Sequence, residues 1–162
     1  MRKAILTAFA AILLWAQVLT AYASYDPVKA SPEIEAAAFK YGEEYDISPY
    51  LLLAIMRYES TYTLTANNGD CKGLMQINEP YHLDRMDRLG VTDLYDLDGN
   101  VHVGADYLAE LYGTYKDWGI VLGLYHGESK AIIKGRKGIY SRYTIKILDK
   151  AAELEEDSAD ER

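Results

Sequence analysis

The sequence predicts a mainly α-helical single domain carrying at most a small β-hairpin, and three observations lead there. Ser31-Pro32 and Ser48-Pro49 are helix-start pairs, each followed by helix-forming residues. Between Asp98 and Tyr115 the apolar positions fall at 101, 104/105, 108, 111/112 and 115, which is helical spacing. Turn residues gather at one place, Asn67-Asn68-Gly69-Asp70, and no two runs alternate well enough to make a convincing strand pair.

Each element follows in order. Ser31, Pro32 and Glu33 read as N-cap, first helical residue and acidic first turn of a helix to about Tyr45. Tyr50 to Tyr58 continues from Ser48-Pro49 as an almost wholly apolar helix. A helix apolar all round is a buried one, so this segment should centre the core. Thr61 to Lys72 is loop, the place for any small hairpin, and Gly73 to Ile77 is short and apolar. Pro80 opens a helix to about Leu89. Trp118 to Tyr125 is continuously apolar, a second buried helix, ended by Gly127. After the glycine-punctuated basic segment Lys134 to Gly138, Tyr140 to Leu154 makes a last amphipathic helix. Residues 155–162 are charged and lack large apolar side chains, so this tail is expected to be disordered. No internal repeat is present.

Ahead of the domain, residues 1–23 read as an export signal. Arg2 and Lys3 precede the apolar run Ala4 to Thr20, and Ala21-Tyr22-Ala23 offers the small-x-small pattern cut by a signal peptidase. An uncleaved anchor is the alternative, although the run is short for a bilayer span. Cleavage places the start of the mature protein near Ser24 and the folded domain at 24–154, enough chain for one real core. The location expected is the cell envelope or the extracellular medium, and the protein is expected to be a monomer.

The formal net charge of −8, more negative still without the basic leader, leaves no electrostatic footprint for nucleic acid. Cys71 is the one cysteine, so an internal disulfide is excluded and stability must come from packing.

One carboxylate stands out. Glu59 follows Leu51-Leu52-Leu53-Ala54-Ile55-Met56 on the most hydrophobic helix. Apolar surroundings and the negative end of the helix dipole both raise its pKa, as a general acid near neutral pH requires. By position alone, a solvated helix-end glutamate or one paired with Arg57 is the commoner outcome. Fourteen residues on comes Gly73-Leu74-Met75-Gln76-Ile77, where the glycine permits an unusual backbone or a close approach by substrate. Gln76 carries an amide suited to sugar N-acetyl and hydroxyl groups, though a plain helix-surface glutamine reads the same.

Glu59-Ser60 followed at this separation by Gly73-Leu74-Met75-Gln76-Ile77 resembles the soluble lytic transglycosylase (SLT) and goose-type lysozyme superfamily. Asn100-Val101 with Gly104 resembles its Asn-Val-x-x-Gly helix, Tyr125 falls where its Ala-Tyr-Asn motif belongs, and Tyr143 resembles its last tyrosine. The resemblance covers about residues 33–154. It implies a lysozyme-like helical fold and peptidoglycan glycan strands as the substrate. By it, Glu59 protonates the glycosidic oxygen between N-acetylmuramic acid and N-acetylglucosamine, then takes a proton from the muramic 6-hydroxyl to close a 1,6-anhydro ring. Tyr125 would orient Glu59 by a hydrogen bond, Gln76 and the backbone around Gly73 and Met75 would hold sugar, and Ser60 would support the loop. No cofactor is implied. The family's Tyr-Asn is Tyr125-His126 here, so an amide is replaced by a group whose charge varies with pH.

Other readings remain in view. Asp70-Cys71-Lys72-Gly73-Leu74 looks like the nucleophile motif of papain-like wall peptidases, with His102-Val103-Gly104 as their histidine motif. That site needs a thiolate activated by an imidazole carried on a strand, and His102 falls inside a helical pattern. His82, His102 and His126 are dispersed and form no zinc motif. A calcium loop around Asp96 to Asn100 fails because its end ligands would be Leu94 and Ala105; an acidic helix N-cap explains it better. Hydrolysis would need a second carboxylate, for which Asp70 is the nearby candidate, though its setting suits a solvated turn. Among the fifteen tyrosines, Tyr62, Tyr81 and Tyr140 are candidates to line a cleft, against ordinary packing. A catalytically silent glycan-binding module is the remaining class, against which the presence of Glu59 argues.

Overall fold

The computed structural model describes residues 28–160; the expected export signal, residues 1–23, lies outside them. Within that span the helices are α1 (Pro32–Tyr45), α2 (Pro49–Ser60), α3 (Glu79–Leu89), α4 (Leu97–Tyr115), α5 (Trp118–Tyr125), α6 (Ala131–Gly135) and α7 (Arg142–Asp160). Strands β1 (Asn67–Asn68), β2 (Cys71–Lys72) and β3 (Ile77–Asn78) form one small antiparallel sheet between α2 and α3.

Local chemistry accounts for most helix starts. Ser31 caps α1 by accepting from the Ile34 amide, Asp96 caps α4 from the Gly99 amide at 2.8 Å, and Asp117 caps α5 from the Ile120 amide at 3.1 Å. Each acceptor satisfies an N–H that has no partner within the helix. Helix α7 starts at Arg142, later than the apolar pattern suggests, because Ser141 Oγ accepts from the Thr144 amide at 3.1 Å.

Helix α2 is the axis of the core. Leu51 through Met56 are all buried, and the helix packs against both α1 and α7. A fully buried Leu or Ile contributes about 1.5–3 kcal/mol. Four Leu or Ile among six buried positions in a row leave α2 one placement, and with it Glu59 in its last turn.

The turn-rich loop does fold back as a hairpin. Asn67 faces Lys72 and Asn68 faces Cys71, with Gly69 at φ +66° in the turn. Strand β3 adds to it, pairing Ile77 with Lys72 and Asn78 with Cys71. Two-residue strands are too short to show the alternation by which a sequence announces them.

Two features differ from expectation. The tail is not disordered from Glu155: α7 runs unbroken to Asp160, and the hydroxyls of Tyr50 and Ser158 meet at 2.7 Å. Leu148, Ala151 and Leu154 pack one face of α7 on the core, and the helix-forming residues beyond extend it. Helix α6 is unannounced by any periodicity. Its Ala131 and Gly135, one turn apart, rest on α5, where a Cβ on Gly135 would lie 2.3 Å from Ile120 Cγ1.

Candidate active site

Glu59 is half-buried, at the point where α2 gives way to a sharp exit. Thr61 (φ +54°) and Tyr62 (φ +58°) are left-handed in succession without being glycine. Their amides bond back to the Arg57 and Met56 carbonyls, closing the helix at a backbone cost of roughly 1–2 kcal/mol per residue. Glu59 faces the start of α7, where the Tyr143 hydroxyl donates to its Oε1. Arg57, the alternative partner, donates to Thr61 Oγ1 at 3.4 Å.

Burial pushes the Glu59 carboxyl above its ordinary value, and the Tyr143 hydrogen bond and the charge of His126 pull back without cancelling the effect. Burial and the Glu59 charge together raise the Tyr143 phenol, so it remains a protonated donor. His126 is exposed and stacks face to face on Tyr143, with ring centroids 3.8 Å apart and an interplanar angle of 13°. The substitution of imidazole for an amide after Tyr125 thus places a titratable ring against the phenol that holds Glu59.

The Gly73–Gln76 loop is built from inside the protein. At Gly73 (φ +74°) a Cβ would lie 2.2 Å from Asn100 Nδ2 and 2.3 Å from the Leu94 carbonyl oxygen. The close approach that this glycine permits is therefore to the chain itself. Asn100, fully buried in the first turn of α4, accepts from the Met75 amide at 2.8 Å. Its Nδ2 donates to the carbonyls of Lys72 at 2.9 Å and Leu94 at 2.8 Å. Gly104, a turn further along α4, leaves room for the Met75 side chain. The sequence places Asn100 in a motif without giving it a task; a single asparagine among apolar helix positions is the signal that it has one.

Two expected roles are corrected by these contacts. The Tyr125 hydroxyl donates to the Met75 carbonyl at 2.7 Å and not to Glu59, whose phenol partner is Tyr143. An unpaired buried carbonyl is costly, and Tyr125 at the end of α5 satisfies it. Gln76 (φ +48°) turns its Nε2 inward to the carbonyls of Gly73 at 3.0 Å and Ala66 at 3.3 Å, so those donors brace the loop. Ser60 Oγ likewise bonds back to the Met56 carbonyl at 3.1 Å, within α2. Met75 is thus held at both ends, by Asn100 at its amide and Tyr125 at its carbonyl. The charge of Glu59 still reaches Tyr125 and Cys71, so both lie in its neighbourhood.

Cys71 is half-buried, and burial followed by the charges of Glu59 and Asp70 raises its thiol pKa. That is the reverse of activation. His102 is engaged elsewhere, stacked on Tyr41 at 4.6 Å and within 2.9 Å of the Tyr45 hydroxyl. Asp70 is exposed in the β1–β2 turn, and its carbonyl accepts from the Glu79 amide. Tyr140 donates to Asp117, Tyr62 packs against the core, and Tyr81 is exposed on α3. Among the described residues no group of three His, Cys, Asp or Glu side chains is gathered for a metal ion.

Residues 36–147, from α1 into the start of α7, match the family model of the transglycosylase SLT domain. The chain belongs to this family. The SLT domain also matches the X-ray structure of an inactive mutant of lytic transglycosylase Slt from Pseudomonas aeruginosa, with a TM-score of 0.61 and 18% sequence identity. That match covers 72% of this chain and 23% of the other, so the likeness is to about a quarter of a longer protein. No curated protein matches this chain. The lysozyme-like helical fold that the motifs implied is the fold observed.

Proposed function

We propose that this SLT domain cleaves the β-1,4 bond between N-acetylmuramic acid and N-acetylglucosamine in peptidoglycan, without water, leaving a 1,6-anhydromuramic end. The observation that carries this reading is Glu59: a carboxyl raised by burial and held by the Tyr143 phenol, in a domain of the SLT family. Protonated Glu59 gives its proton to the glycosidic oxygen as the bond to the muramic C1 breaks. The resulting carboxylate takes the proton of the 6-hydroxyl, whose oxygen bonds C1, and Glu59 is again an acid. General acid–base work of this kind contributes about 10²–10⁴ in rate. The 6-hydroxyl, tethered to the reacting ring, attacks at high effective concentration. Tyr143 supports the carboxylate form between the two transfers, which eases the first, the loss of a proton from a carboxyl whose pKa burial has raised.

The substrate is held beside the Gly73–Gln76 loop, whose shape Asn100 and Tyr125 maintain through Met75. His126, exposed next to Tyr143, is the group with a ring edge to offer a sugar, and Ser60 stiffens the helix end under Glu59. The domain acts in the cell envelope as a monomer and needs no cofactor. Mass spectrometry of digested peptidoglycan tests the reaction. Anhydromuramic ends and an active Asp70→Asn variant are expected. Reducing muramic ends together with an inactive Asp70→Asn would make this a hydrolase.

A further inference from the structure

Charge is unevenly spread along this acidic chain. Six of its 17 basic residues, Lys130, Lys134, Arg136, Lys137, Arg142 and Lys146, and none of its 25 acidic ones, fall between positions 129 and 148. All six are exposed, and among the described residues none of them takes part in an ion pair. Three of the most exposed large apolar side chains lie in the same stretch: Ile133 at 63%, Ile139 at 54% and Ile145 at 48%. Water-facing isoleucines between unpaired cations need a reason.

The packing puts these residues on outward faces. Helix α6 turns Ala131 and Gly135 onto α5, so Ile133 lies on the opposite side by helical geometry, and Lys130, Lys134 and Lys137 are exposed around it. In α7 the buried positions Thr144 and Ile147 leave Arg142, Ile145 and Lys146 outward. Both helices pack on α5, and the segment 136–141 connects them along the chain, exposed at positions 136–139. Asp149, a turn beyond Lys146, ends the basic stretch.

We propose that this face docks on an anionic phospholipid surface, the cations against headgroup phosphates and Ile133, Ile139 and Ile145 among the upper acyl carbons. Basic residues interleaved with apolar ones are the composition of an interfacial segment. A soluble polyanion would use the cations alone and leave the isoleucines in water. Outside this face the described residues are acidic overall and are repelled by such a surface, which orients the approach. Arg142 adjoins Tyr143, so docking would hold Glu59 close to the membrane; the proposal itself stands independently of the chemistry at Glu59.

The test is a local probe on the full chain. Ile133→Cys in a Cys71→Ser background, carrying an environment-sensitive fluorophore, reads this face whatever the N-terminal residues do. Vesicles containing phosphatidylglycerol should blue-shift the emission, and Lys134→Glu/Lys137→Glu should weaken that response by roughly tenfold or more at equal lipid. Circular dichroism and unchanged lysis of soluble glycan fragments show that the double variant remains folded and active. No shift, an equal shift with phosphatidylcholine, or an equal shift from a probe at Leu83→Cys on α3 would overturn the proposal. So would soluble polyphosphate binding as tightly as the vesicles, with Ile139→Ser/Ile145→Ser binding the vesicles undiminished.

Discussion

Removing one oxygen, in Tyr143→Phe, isolates the contact that the sequence could not assign. The Tyr143 hydroxyl donates to Glu59 Oε1, so it favours the carboxylate and opposes the upward push of burial. A hydrogen bond to a charged group contributes about 1.5–3 kcal/mol, and 1.36 kcal/mol is one pH unit. Glu59 is only half-buried, so water replaces part of the lost donor, and the lower end of that range applies. The alkaline limb of the kcat/KM profile should therefore move up by about one pH unit. The plateau should fall roughly tenfold, because the conjugate base formed in the first step has lost its support. The assay is release of muropeptide ends from purified soluble glycan between pH 4 and 10, with melting curves to confirm folding. An unmoved or acid-shifted limb in a folded variant would refute the role given to Tyr143.

Three further outcomes follow from the same geometry. Glu59→Gln should lose 10²-fold or more in lysis. Because the folded pKa of Glu59 lies above its unfolded value, its support for folding is complete below the unfolded pKa and is lost as pH rises through the folded one. The glutamine variant should therefore melt higher than the parent at pH 7 but not at pH 4. Cys71→Ser should keep at least half of the activity, since its thiol is not activated; abolished lysis there, with Glu59→Gln still active, would restore a peptidase reading. Asn100→Ala removes the side-chain partner of the buried Met75 amide and Leu94 carbonyl and of the part-buried Lys72 carbonyl. Chemical denaturation should show a loss of about 3 kcal/mol or more, with activity falling alongside because the Gly73–Gln76 loop loosens.

Much of the site is legible in the amino-acid sequence. Glu59 is marked by the apolar run before it, and the direction of its pKa follows from that run alone. Gly73 is marked by its place in a motif, but the partner that demands a missing Cβ is Asn100, twenty-seven residues away. Tyr125 and Tyr143 look alike along the chain: each is a tyrosine at a helix end, and either could be drawn toward Glu59. The choice between them depends on the Met75 carbonyl, which sits at a left-handed bend that no residue type announces.

The sequence by itself determined every helix but α6, the caps at Ser31 and Asp96 and the central place of Leu51 to Met56, because helical periodicity, capping and burial of apolar side chains are properties of short segments. It also determined that one carboxylate would end the most buried helix. Only the tertiary structure decided what that carboxylate touches. Hydrogen bonds join residues 84 and 50 positions apart, Tyr143 to Glu59 and Tyr125 to Met75, after α7 and α5 have docked on the core. Docking also extended α7 through a stretch whose charge predicted disorder, since Leu148 to Leu154 had already fixed the helix that the acidic residues continue. Partners chosen across the fold are set by packing geometry, and that geometry exists only once the chain is closed.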